Sequence, residues 1–69
     1  MPPLYAKYEN GKLWWRGTDP LGWFYRPRQS MRLLRATFAN DKSYPLAAEF
    51  VREIDAALAQ YEKETPCEP

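Results

Sequence analysis

The sequence predicts a small α+β domain. It has a three-stranded antiparallel sheet packed against a long C-terminal helix, with a short helix or fourth strand at about 30–39. Two turn signals and one periodic stripe predict it. Asn10-Gly11 and Asp19-Pro20-Leu21-Gly22 interrupt an alternating, aromatic N-terminal segment, and apolar residues recur at helical spacing from Ala47 to Tyr61. Residues 1–64 read as one domain, and Thr65 to Pro69, with two prolines in five residues, as a disordered tail.

The first hairpin follows from Asn10-Gly11, because a two-residue type I′ turn needs positive φ at both central residues. With that turn, Glu9 faces Lys12, Tyr8 faces Leu13, Lys7 faces Trp14, Ala6 faces Trp15 and Tyr5 faces Arg16. Side chains alternate along a strand. One face then carries Leu4, Ala6, Tyr8, Leu13 and Trp15, and the other Tyr5, Lys7, Trp14 and Arg16. Asp19, Pro20 and Gly22 fit a type I turn followed by a glycine bulge. The third strand then runs from Trp23 to about Arg28. In the simplest register Trp23 opposes Asp19, Tyr25 joins the apolar face, and Phe24 and Arg26 join Trp14 and Arg16. Pro27 lacks a backbone donor, which suits an edge strand or a strand end.

Residues 29–43 fit two descriptions. Ser30 would cap a helix ending near Asn40 with Met31, Leu34 and Phe38 inward; alternatively Arg32 to Phe38 form a fourth strand. The helix is preferred, because Leu and Arg favour it by propensity. Pro45 to about Glu64 is the long helix, with Ser43 as N-cap and Pro45 in the first turn, where a missing donor costs nothing. Ala47, Phe50, Val51, Ile54, Leu58 and Tyr61 form its apolar stripe; Glu49, Arg52, Glu53, Ala56, Gln60 and Lys63 lie on or near the far side. At 1.5 Å per residue, about 19 residues span roughly 28 Å, enough to cover three strands.

A chain of 69 residues buries only about 60% of its unfolded surface. Its 16% aromatic content compensates, since each large ring buries on the order of 150–250 Å². The net charge of +1 hides an asymmetry. Residues 1–35 hold seven Lys/Arg against two Asp/Glu, a balance of +5; residues 36–69 hold three against seven, a balance of −4. The expected molecule has a basic sheet end and an acidic helical end. Cys67 is the single cysteine, so no intramolecular disulfide forms and a reducing compartment is expected. No signal-peptide pattern or membrane-length apolar run is present, so the expected location is cytoplasmic.

The chain has no histidine. That removes the commonest general base and metal ligand and every Ser-His or Cys-His arrangement. No phosphate-binding or dinucleotide glycine pattern occurs either. Glu9 and Asp19 fall near opposite ends of the sheet and do not make an acid–base pair. No enzymatic activity, metal or cofactor is expected. The candidate surface is the basic aromatic sheet face; in the alternative, the 29–43 segment covers one face and the long helix the other, and the aromatics form a double-sided core. On an open basic face Tyr5, Trp14 and Phe24 would stack on bases or sugars, while Lys7, Arg16, Arg26 and Arg28 meet phosphates.

Leu4 to Trp23 resembles the N-terminal arm-type DNA-binding domains of phage tyrosine integrases. The shared features are an extended segment, a turn, an aromatic strand leading into Arg16, then Asp19-Pro20, a glycine turn and a third strand, with a C-terminal helix on the sheet. The resemblance implies a sheet lying in the DNA major groove with Lys7, Trp14, Arg16, Phe24 and Arg26 toward DNA. No catalytic domain follows, so recombinase activity is not implied. The chain departs from that pattern in its longer Gln29–Lys42 segment and its acidic helix.

DNA is therefore the first expected partner, with no membrane and a monomeric or homodimeric chain. The alternative is a protein-binding module, such as an inhibitor or adaptor encoded by a phage or mobile element, that docks on a host protein through Glu49, Arg52 and Glu53. Trp, Tyr and Arg also dominate protein interfaces, so composition does not separate the two readings.

Overall fold

A computed structural model describes residues 3–64. Cys67 and the expected tail at 65–69 lie outside the described residues. The chain forms β1 (Ala6–Glu9), β2 (Lys12–Trp15), β3 (Phe24–Tyr25), α1 (Arg28–Asn40) and α2 (Ala47–Glu64). The sheet is antiparallel in the order β1-β2-β3.

The first hairpin has the expected register, with Ala6 opposite Trp15, Lys7 opposite Trp14, Tyr8 opposite Leu13 and Glu9 opposite Lys12. Asn10 at φ 56° and Gly11 at φ 76° supply the two left-handed residues the turn demands. Alternation therefore separates Trp14 from Trp15. Ala6 and Leu13 are buried on the inner face with Met31, Ile54, Ala57 and Leu58, and Tyr8, Trp15, Leu34 and Tyr61 pack around them.

The third strand corrects the expected register. Trp14 pairs with Tyr25 and Trp15 with Phe24, so Tyr25 faces outward and Phe24 inward. Two turns occur where one was expected. The Asp19 amide donates to the Arg16 carbonyl at 3.0 Å, and the Gly22 amide then donates to the Asp19 carbonyl at 3.4 Å. Gly17, at φ 59°, makes the first turn, and the Asp19 carboxylate accepts the Leu21 amide at 2.8 Å in the second. The loop absorbs an odd number of extra residues, which exchanges the faces of the strand. β3 is also only two residues long, not the Trp23–Arg28 segment expected. Pro27, at φ −64°, ends it and stands at the N-cap of α1.

Residues 28–40 are helical, so the fourth-strand alternative falls away. Met31 is fully buried, and Leu34 and Phe38 face inward as expected. The helix starts at Arg28, before the expected Ser30 cap, and has no side-chain cap and no acid in its first turn. Glu62 of α2 brings a carboxylate there instead, 2.8 Å from Arg28 Nη2. Arg35 pairs with Asp55. The two rungs lie seven residues apart on each helix, which makes α1 and α2 an antiparallel hairpin. Ser43 does not cap α2; its amide and hydroxyl donate to Asp41 Oδ1 at 3.2 and 2.9 Å, closing the turn between the helices.

Both helices pack on the same side of the sheet. Met31 of α1 and Ile54 of α2 enter one cluster with Ala6 and Leu13. Beside it lies a ring cluster in which Phe50 meets Tyr5, Trp15, Phe38 and Tyr44 at 4.8–5.5 Å between centroids. Among the described residues no helix is long and apolar enough to cross a membrane.

Candidate nucleic-acid interface

Because α1 and α2 share one side, the other side of the sheet is covered by neither. β1 brings Lys7 and Glu9 to that outer face, and β2 brings Lys12 and Trp14, with Arg16 just past its end. The corrected register adds Trp23 and Tyr25. Lys7 Nζ sits 4.5 Å from the centre of the Trp23 ring, and the Arg16 guanidinium carbon 6.0 Å from it. Lys12 Nζ lies 5.5 Å from the Tyr25 ring, which Trp14 meets edge-on at 6.3 Å. Each outer-face cation thus rests on an aromatic ring, an attraction of about 0.5–1 kcal/mol at exposed sites.

Hydrogen bonds fix the same side chains. Lys7 also meets Glu9 Oε1 at 2.7 Å. Arg16 Nε donates to the Asp19 carbonyl at 3.3 Å, and Trp14 Nε1 donates to the Glu9 carbonyl at 3.1 Å. The result is an array of cations whose side chains are held along the sheet.

Of the residues expected at the interface, Lys7, Trp14 and Arg16 come together on this face. Tyr5 does not. It precedes β1, the chain bends there, and its ring meets buried Phe50 edge-on at 4.9 Å. Strand alternation does not extend to it, nor to Leu4, which was expected on the apolar face and is half exposed. Phe24 and Arg26 occupy the opposite side, where they line a shallow cleft of about 330 Å³ with Trp15, Phe38 and Tyr44, and Arg16, at the end of β2, borders that cleft as well. Arg28 belongs to α1 and reaches Glu62. Lys12, Trp23 and Tyr25 are the outer-face residues that the sequence reading passed over. Gly17 was the available signal, since a second glycine ahead of Asp19-Pro20 marks a second turn.

On α2, Glu49 and Arg52 are exposed as the protein-docking alternative requires, but Glu53 turns to the sheet. Its Oε1 accepts the amides of Leu4 at 3.0 Å, Tyr5 at 2.8 Å and Ala6 at 3.2 Å. The side chain expected to face a partner instead fastens the entry to β1. Elsewhere, hydrogen bonding to Asp55, followed by its charge, raises the pKa of Arg35 above the ordinary arginine value, so this guanidinium stays charged.

No family model, curated protein or solved structure matches the chain.

Proposed function

We propose that this chain is a small non-catalytic DNA-binding module whose contact surface is the outer sheet face. One observation carries the reading: Lys7, Lys12 and Arg16 share a helix-free face with Trp14, Trp23 and Tyr25. Cations spread over one sheet face suit the phosphate rows of a duplex, and a narrow sheet fits a major groove. The rings preorganise the cations, which reduces the side-chain entropy lost on binding. Compared with the DNA-facing set implied by the integrase resemblance, Lys7, Trp14 and Arg16 remain, while Lys12, Trp23 and Tyr25 replace Phe24 and Arg26.

Fluorescence anisotropy with a labelled duplex at two salt concentrations tests the reading. Engagement of three phosphates gives a slope of log affinity against log salt of about −3, at roughly −0.9 per contact. Lys7→Ala with Arg16→Ala reduces that slope by about 2. Absence of binding at low salt rejects the proposal.

A further inference from the structure

β1 is an edge of the sheet. The Arg16 amide donates to the Tyr5 carbonyl at 2.8 Å, and residues facing the partner strand alternate with residues facing away. Ala6 and Tyr8 therefore turn their backbone groups from β2 toward the open edge. Glu53 already takes the Ala6 amide. Among the described residues nothing bonds to the stretch from the Ala6 carbonyl through Tyr8, beside a groove of about 480 Å³ between β1 and α2 whose wall includes Tyr8, Ala56 and Gln60.

We propose that this edge receives β1 of a second copy of the chain, antiparallel about a two-fold axis at Tyr8, so that two three-stranded sheets become one of six strands. Charge selects the occupant and the register. Centring the axis on Lys7 would oppose two ammonium groups and would need the amide that Glu53 holds. Centring it on Glu9 would oppose two carboxylates. Centring it on Tyr8 places Lys7 opposite Glu9 of the second copy, twice, and lets the two Tyr8 residues exchange N–H and C=O. Opposite charges directly across a ladder stabilise it and like charges destabilise it. Lys7 and Glu9 are already paired within one chain at 2.7 Å, and this register sets two such pairs side by side with opposite charges facing. The contact is isologous and self-limiting, as two-fold closure requires.

The inference goes beyond DNA binding, and it is tested on the protein alone. Sedimentation equilibrium of the full chain is expected to show mass rising toward twice that of one chain with concentration. Lys7→Glu and Glu9→Lys each place like charges opposite one another, and each weakens association at least tenfold. Mixing the two variants restores it, because every facing pair is then complementary. In the wild-type chain, hydrogen exchange at the Tyr8 amide slows as concentration rises, a reading that needs no variant to fold. A mass of one chain at every concentration overturns the proposal. So does a dimer with unchanged Tyr8 exchange, and so does a mixture of folded variants that fails to recover association.

Discussion

The Lys7 ammonium lies 4.5 Å from the centre of the Trp23 ring, although Lys7 belongs to the edge strand β1 and Trp23 immediately precedes β3 at the opposite edge. The lysine reaches across β2 and is held from its other side by Glu9 at 2.7 Å. Only 23% of its side chain is exposed. Arg16 approaches the same ring, so Trp23 organises two of the three cations on the outer face.

Replacing that ring is expected to loosen both cations. Trp23→Ala lowers duplex affinity by about 0.5–2 kcal/mol, the range of one or two cation–π contacts, while far-ultraviolet circular dichroism is unchanged. Arg26→Ala, on the opposite side, alters the salt slope less than Arg16→Ala does. Equal effects of the two arginine substitutions would mean that DNA does not distinguish the two faces.

The adjacent tryptophans are expected to differ in stability. Trp15 packs on Phe38 and Phe50 at 5.8 and 5.1 Å, and Trp15→Ala costs about 3–5 kcal/mol in urea denaturation. Trp14 lies on the helix-free side, and Trp14→Ala costs about 1 kcal/mol, the scale of its edge-on ring contact with Tyr25. The reverse order would contradict the observed faces.

Glycine replacements probe the second loop. At Gly17, with φ 59°, an added Cβ would lie 3.0 Å from the Trp15 ring. At Gly11, with φ 76°, it would meet nothing within 4 Å. Gly11→Ala is expected to lose about 1–2 kcal/mol from the left-handed backbone alone. Gly17→Ala loses more, because the indole must also shift, and thermal melts compare the two directly.

Loss of the α2 carboxylate at position 53 leaves amides of Leu4, Tyr5 and Ala6 without their acceptor. Glu53→Ala is expected to destabilise by about 1.5–3 kcal/mol, the range for a hydrogen bond to a charged group. Exchange at the Tyr5 and Ala6 amides should accelerate ahead of the rest of β1. Glu53→Gln keeps one acceptor oxygen and loses less.

Much of the fold was legible because local chemistry determined it. Asn10-Gly11 fixed the first hairpin and with it the separation of Trp14 from Trp15. The stripe from Ala47 to Tyr61 identified the inward face of α2, and Met31, Leu34 and Phe38 did the same for α1. The candidate surface was half legible. Lys7, Trp14 and Arg16 follow from the first hairpin, but Trp23 and Tyr25 depend on the length of a loop containing two turns. Asp19-Pro20-Leu21-Gly22 announces one of them, and Gly17 the other only when read with it. Glu53 had no local signal at all, since its partners are backbone amides of distant residues and any solvent-facing glutamate looks the same.

The Glu53 clasp also sets an order of events. Its three donor amides precede the acceptor by 47–49 positions, so the clasp joins the entry to β1 to the middle of α2. A growing polypeptide emerging from the ribosome therefore lacks the acceptor for these three amides until α2 has been synthesised. The β1–β2 hairpin, whose pairing is local, can form and re-form in the meantime, and the final helix locks it in a single late step.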